Sequence, residues 1–174
     1  MNLKQIIGEY NLGLSLRKKS FTADQNSESA KGIGIIFAAE SLLHQQVVTK
    51  FQEKIQNLTH EQTHLFGYVN KKLDSQVTFA FSHFSQTDVG IRPDFSKHKV
   101  AIFMQRHYRV CINLDVDNYK IIHYVMANTH AVHKLAISPD YPKLYNIIVN
   151  KDANDDFPFI IDKTLEIFKK TVGL

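Results

Sequence analysis

Cys111 is the only cysteine in the 174 residues. One thiol can form neither an intrachain disulfide nor a thiolate zinc site, so the fold cannot depend on oxidising conditions. Long apolar runs are also missing: charged or polar residues interrupt each stretch well short of the roughly eighteen needed to cross a bilayer. The N-terminus lacks the apolar core and small-residue end of a secretory signal. These absences point to the cytoplasm. Charge of one sign is scarce as well. The formal net charge is +4, and residues 1–20 hold +3 of it, through Lys4, Arg17, Lys18 and Lys19 against Glu9. With only +1 left for residues 21–174, a field steering nucleic acid to the whole protein is not supported, whereas a short basic arm is compatible with the charge.

What is present suits one α/β domain. An apolar content of 44% fills a core at this length, and a second full domain has no room. Leu3, Ile6, Ile7, Tyr10 and Leu14 recur at helical spacing, predicting an amphipathic helix over 2–18 whose stripe must be covered. Gly8 and Gly13 weaken it by about 1 kcal/mol each relative to alanine. Residues 21–29 have a linker composition, so the domain proper is expected over 30–174, with 1–20 as a basic extension.

Within the domain, short apolar runs alternate with periodic segments. Strands are predicted at 32–38, 64–69, 77–84, 109–114, 133–138 and 144–149. Ser41 should cap a helix carrying Val47, Val48, Phe51 and Ile55, Ser96 a short helix to Arg106, and Asp155 or Asp156 the last helix. A further helix is expected over 118–130. Strands rich in Val and Ile and separated by helices predict a three-layer, Rossmann-like domain: a mainly parallel sheet of five or six strands, helices on both faces.

Two stretches invite a chemical reading. His60-Glu61-x-x-His64 has the zinc-hydrolase spacing, with Gly67 three residues on. That chemistry needs both histidines one turn apart on a helix, plus a third ligand. Here a helix ends near Thr59, a strand opens near His64, and Asn70 occupies the place of a third histidine, so a polar loop is the competing reading. No metal is expected, with His60 and His64 as the alternative ligands. The second stretch is 113–123, in which Asp115 and Asp117 fall just past the carboxyl end of a predicted parallel strand, where open α/β sheets bind ligands. A divalent ion with a sugar nucleotide suits such a pair; equally, Asp117 suits an N-cap and Asp115 a solvated strand end. Ala38 and Ala39 keep the first strand-to-helix turn small, which admits a ligand or merely close packing. Gly32 and Gly34 are not a dinucleotide loop, since they come before the strand and Phe37 stands where a small residue is needed. His123 and His130 would share a face of the 118–130 helix, with His133 beyond. Cys111 reads as an inert buried thiol.

Three segments carry a family likeness: "LFGYVNKK" (65–72), "CINLDVDNYKIIHYVMANTHAVHKLAI" (111–137) and "IIDKTLEIFKKTV" (160–172). From about Lys31 onward the chain resembles a small uncharacterised bacterial family, a domain of unknown function, whose members begin with a short basic amphipathic segment before a strand of the "GIGIIF" type. Ile122 near a usual proline and Ala136-Ile137 for a usual Val-Gly depart from that pattern. Residues 109–138 also look like half of a heptosyltransferase-type glycosyltransferase, without the second domain that binds the donor. If Gly67 belongs to a family strand motif, its distance from His64 is a coincidence of register. The expected function is a non-catalytic binding or accessory module without a cofactor. The enzyme alternatives are a zinc hydrolase and a nucleotide-sugar-dependent transferase. Lys4, Arg17, Lys18 and Lys19 are the candidate contacts to an acidic partner such as RNA, a ribosome surface or anionic lipid; folding back on the domain and homodimer formation compete.

Overall fold

In a computed structural model of the chain, residues 3–23 (side chains from Ile7 onward), 30–70, 79–89, 95 and 99–174 are described. Six strands form one sheet: β1 (Ile33–Ala38), β2 (Thr63–Val69), β3 (Ser82–Ser85), β4 (His107–Asn113), β5 (His130–Ile137) and β6 (Ile147–Val149). Their order is β3-β2-β1-β4-β5-β6, and every pair is parallel. This is the doubly wound, Rossmann-like order, in which the chain reverses its direction of travel between β1 and β4. Among the described residues five α-helices cover the sheet: α1 (Leu3–Arg17), α3 (Lys99–Gln105) and α4 (Lys120–Asn128) on one face, α2 (Leu42–Thr59) and α5 (Phe157–Val172) on the other.

The layers follow from alternation along buried strands. In β1, Ile33, Ile35 and Phe37 enter the core shared with Val48, Phe51 and Ile55 of α2 and Ile161 and Phe168 of α5. Ile36 and Ala38 face the other core, with Ile122 and Val125 of α4. Such a strand is apolar at nearly every position because both of its faces are covered. Ser41 caps α2 by accepting from the His44 N–H, and Asp156 caps α5 by accepting from the Phe159 N–H. None of the described helices is long and apolar enough to cross a membrane.

The first helix docks by a face other than its expected apolar stripe. Ile7, Tyr10 and Leu14, from that stripe, are 39%, 66% and 41% exposed, whereas Leu12 and Leu16 are 2% and 1% exposed and join the core beside α4. The helix carries two apolar faces, and the docked one runs through Gly8, Leu12 and Leu16. The Phe21 N–H, donating to the Lys143 carbonyl at 2.6 Å, holds the chain beyond it. Smaller corrections concern boundaries. Residues 79–81 precede β3 instead of lengthening it, and α4 stops at Asn128, so that His130 opens β5. Residues 77–78 of the predicted third strand, the Ser96 cap, residues 71–72 of the family segment and the larger part of the linker lie outside the described residues.

Candidate functional site

At the switch point Ile36 pairs with Asn113, so the turn after Ala38 and the loop containing Asp115 leave the sheet on the same rim. Ala38 and Ala39 are buried there, and the Ala39 N–H donates to the Tyr68 carbonyl at 2.7 Å. Their small size serves packing as well. A Cβ on Gly67 would sit 2.9 Å from the Ala39 Cβ and 2.5 Å from the Phe81 ring. Gly67 is therefore the floor on which Phe81 lies, which accounts for the glycine after the histidine motif.

Asp115 does not end β4 in solvent. It is 0% exposed, and its carboxylate organises the loop into α4: Oδ1 accepts from the Asp117 N–H at 2.9 Å and Oδ2 from the Tyr119 N–H at 2.6 Å. Asp117, the expected cap, is exposed. Burial pushes the Asp115 carboxyl up to about 7, against those two N–H groups, which hold it down.

From Asp115 a polar chain runs through the interior. Asn113 accepts from the Asp115 N–H at 3.0 Å and donates to the Tyr145 hydroxyl at 2.9 Å. That hydroxyl lies 2.7 Å from Nδ1 of His123, whose Nε2 lies 3.2 Å from Oδ1 of Asn118. An amide oxygen only accepts, so Nε2 carries the imidazole proton and Nδ1 accepts from Tyr145. Burial lowers His123 to about 4, which keeps this neutral tautomer. Asn118 also donates to the Ser138 carbonyl at 3.2 Å, and both residues have left-handed backbones, φ 55° and 41°. Beside this chain, Glu40 accepts from the Asn70 N–H at 2.7 Å, Tyr68 donates to Asn70 at 3.0 Å, and the Tyr68 and Tyr119 rings meet at 5.2 Å. Among the described residues, the protein's own polar and aromatic side chains thus meet one another at the crest between β1, β2 and β4. The described carboxylates there, Glu40, Asp115 and Asp117, oppose the phosphate usual at such a crest.

The histidine motif is dispersed. His60 is the exposed left-handed cap of α2, with φ 55°. Glu61 pairs with Arg109 at 2.7 Å and accepts from the Gly32 N–H at 3.1 Å. His64 lies in β2, its Nε2 3.1 Å from Nη1 of Arg106. His123, His130 and His133 are separated too: the first is enclosed in α4, the other two are on β5, and His133 contacts Asn146. Among the described residues, no three His, Cys, Asp or Glu side chains gather to hold a metal.

Of the basic residues, Arg17 and Lys18 are exposed, while Lys19 is engaged with Asn128 and lies 5.9 Å from the Tyr124 ring centre. The Lys4 side chain lies outside the described residues. Sequence reading missed Asn113, Tyr145 and Lys134. Lys134 is 4% exposed on β5, donates to the Met126 carbonyl at 2.6 Å, and burial lowers its ammonium to about 8. The available signal was an asparagine directly after the apolar run Val110, Cys111 and Ile112 and a lysine directly before Leu135, Ala136 and Ile137.

The chain matches no curated protein and no solved structure. A family model does match, over residues 4–170, so its span takes in α1 as well as the sheet and α5. The chain belongs to that family, the family of unknown function DUF6913.

Proposed function

We propose that the chain is a non-catalytic binding or accessory module of the bacterial cytoplasm, working through the outward face of α1. The observation that carries this reading is the closed polar chain at the crest. Both Asp115 oxygens accept backbone N–H groups, and both His123 ring nitrogens are bonded within the fold. The groups best suited to proton transfer thus hold the protein's own loops. By contrast, Ile7, Tyr10 and Leu14 face solvent, and Arg17 and Lys18 continue their stripe at helical spacing. A basic helix with an apolar stripe suits an acidic partner: RNA, a ribosome surface or anionic lipid. The lone buried thiol suits a reducing compartment.

The test uses the full chain with single-stranded RNA, ribosomes and vesicles of anionic or neutral lipid. Saturable binding that weakens with salt is expected for RNA, ribosomes or anionic vesicles. Combining Tyr10→Ser, Arg17→Gln and Lys18→Gln should abolish it without changing Tm. Absence of binding at low salt removes the acidic partner, and concentration-dependent dimerisation abolished by Tyr10→Ser assigns the face to a second copy.

One observation favours a second reading. A carboxyl group raised to about 7 at a switch-point crest, two residues from an exposed carboxylate, suits a proton carrier in a nucleotide-sugar-dependent enzyme. A zinc hydrolase on His60, Glu61 and His64 draws no comparable support.

A further inference from the structure

At the opposite, amino end of the sheet lies a cavity of about 460 Å³. It exists because β3 is short. That strand begins with Ser82 opposite Phe66, which leaves Thr63, His64 and Leu65 of β2 without a β3 neighbour among the described residues. Helix α3 closes one side with Lys99, Ile102 and Phe103, and Arg106 follows where the chain turns into β4. The volume is within the range of small-molecule sites, about 300–1,000 Å³.

Its lining is chemically one-sided. Lys99 and Arg106 supply two cations, and no Asp or Glu is among the described lining residues. Neither cation has a carboxylate partner among the described residues. Arg106 is held by His64 instead, at 3.1 Å, and burial together with the Arg106 charge lowers the imidazole's pKa. A neutral His64 accepts from the guanidinium, fixing it without neutralising it. The Thr63 hydroxyl accepts from Gln52 at 3.0 Å, which leaves its own proton to donate. The apolar wall is aromatic: the Phe66 and Phe103 rings meet, tilted, at 5.3 Å, and those of Phe103 and Tyr108 at 5.2 Å. Gly34 makes room for this wall, since a Cβ there would lie 3.1 Å from both Phe103 and Tyr108.

Tyr108 adds an independent sign. It lines the cavity, is 0% exposed, and its buried hydroxyl has no hydrogen-bond partner. Buried hydroxyl groups are ordinarily satisfied, and one left open beside a cationic cavity marks a place for an acceptor. We infer that this cavity binds a small organic anion with an aromatic body, its carboxylate or phosphate held by Arg106 and Lys99 and its ring against Phe66, Phe103 and Tyr108. Arg106 is positioned to bind the anion through its planar face of donors, and Lys99 acts as a point charge at the mouth. His64, half of the apparent zinc motif, is here the residue that orients Arg106.

The test is an NMR titration of isotope-labelled full-length protein with benzoate, phenyl phosphate and the neutral benzamide. Saturable shifts centred on His64, Ser82, Phe103 and Tyr108 are expected with at least one anion, and the better of the two identifies the head group. Benzamide should bind at least tenfold more weakly. Arg106→Gln should weaken the anion at least tenfold while leaving Tm unchanged, because Arg106 is exposed. Tyr108→Phe should weaken it too, yet keep or raise Tm, since it removes an unpartnered hydroxyl. The proposal is overturned if neither anion shifts these residues, if the shifts centre elsewhere, or if benzamide or the Arg106→Gln variant binds as well.

Discussion

Replacing Asp115 with asparagine should uncover a pH dependence of stability that the native protein hides. Asp115 rises from 3.8 when unfolded to about 7 when folded, and His123 falls from 6.5 to about 4. A raised acid contributes stability that is lost as pH climbs from 3.8 to about 7, because the native state keeps a proton which the unfolded state releases. A depressed histidine does the reverse. Its stability is lost as pH falls from 6.5 toward about 4, where the unfolded state takes up a proton which the native state refuses. Between about 4 and about 6.5 each state therefore holds one proton on this pair, and the pair contributes no slope. Asp115→Asn removes the native proton and leaves the histidine alone. The variant's unfolding free energy should then rise with pH by ~1.4 kcal/mol per unit across that window, on the order of 3 kcal/mol in all. Urea unfolding followed by circular dichroism at a series of pH values measures it. A variant as flat as the native protein would refute the neutral, enclosed His123 and the tautomer assigned to it.

Three further outcomes follow from particular contacts. Leu16→Ala should cost about 2–5 kcal/mol and Tyr10→Ser less than about 0.5 kcal/mol in denaturant unfolding, because only the first lies against α4. Tyr108→Phe should be neutral or stabilising by up to ~1 kcal/mol, since the hydroxyl has no partner to lose; a clear loss in a thermal melt would mean that it has one. His60→Gly should stabilise by roughly 0.5–1 kcal/mol by relieving a left-handed cap, and a destabilised variant would reopen the question of a role for that imidazole.

The layers were legible because β1 is apolar at every position and β4 carries the unbroken apolar run Val110, Cys111 and Ile112, a pattern left by burial on both faces. The caps Ser41 and Asp156 could be read because each is a short polar side chain just before a periodic run. The docking of α1 was not legible. A helix with Ile7, Tyr10 and Leu14 on one side and Leu12 and Leu16 on the other offers two stripes, and only the neighbouring helix decides between them. The end of α4 was misplaced because the apolar period runs on through Val132, while the His130 backbone already pairs with His107 on β4. The polar chain was half legible. Asp115 was singled out by its place at a strand end, but it is buried and holds the loop before α4, and the cap expected from Asp117 is not made. Asn113 and Tyr145 stand 32 residues apart, and no local pattern announces a bond between them.

The most direct test of the central proposal, that the crest groups serve to hold the fold together, is the unfolding free energy of Asp115→Ala at neutral pH. The variant strands the N–H groups of Asp117 and Tyr119. If Asp115 is structural, stability should fall by about 1–3 kcal/mol or more, the cost of leaving such donors without partners. An unchanged or increased stability would contradict the account, because groups kept for function at the expense of the fold are those whose removal stabilises a protein.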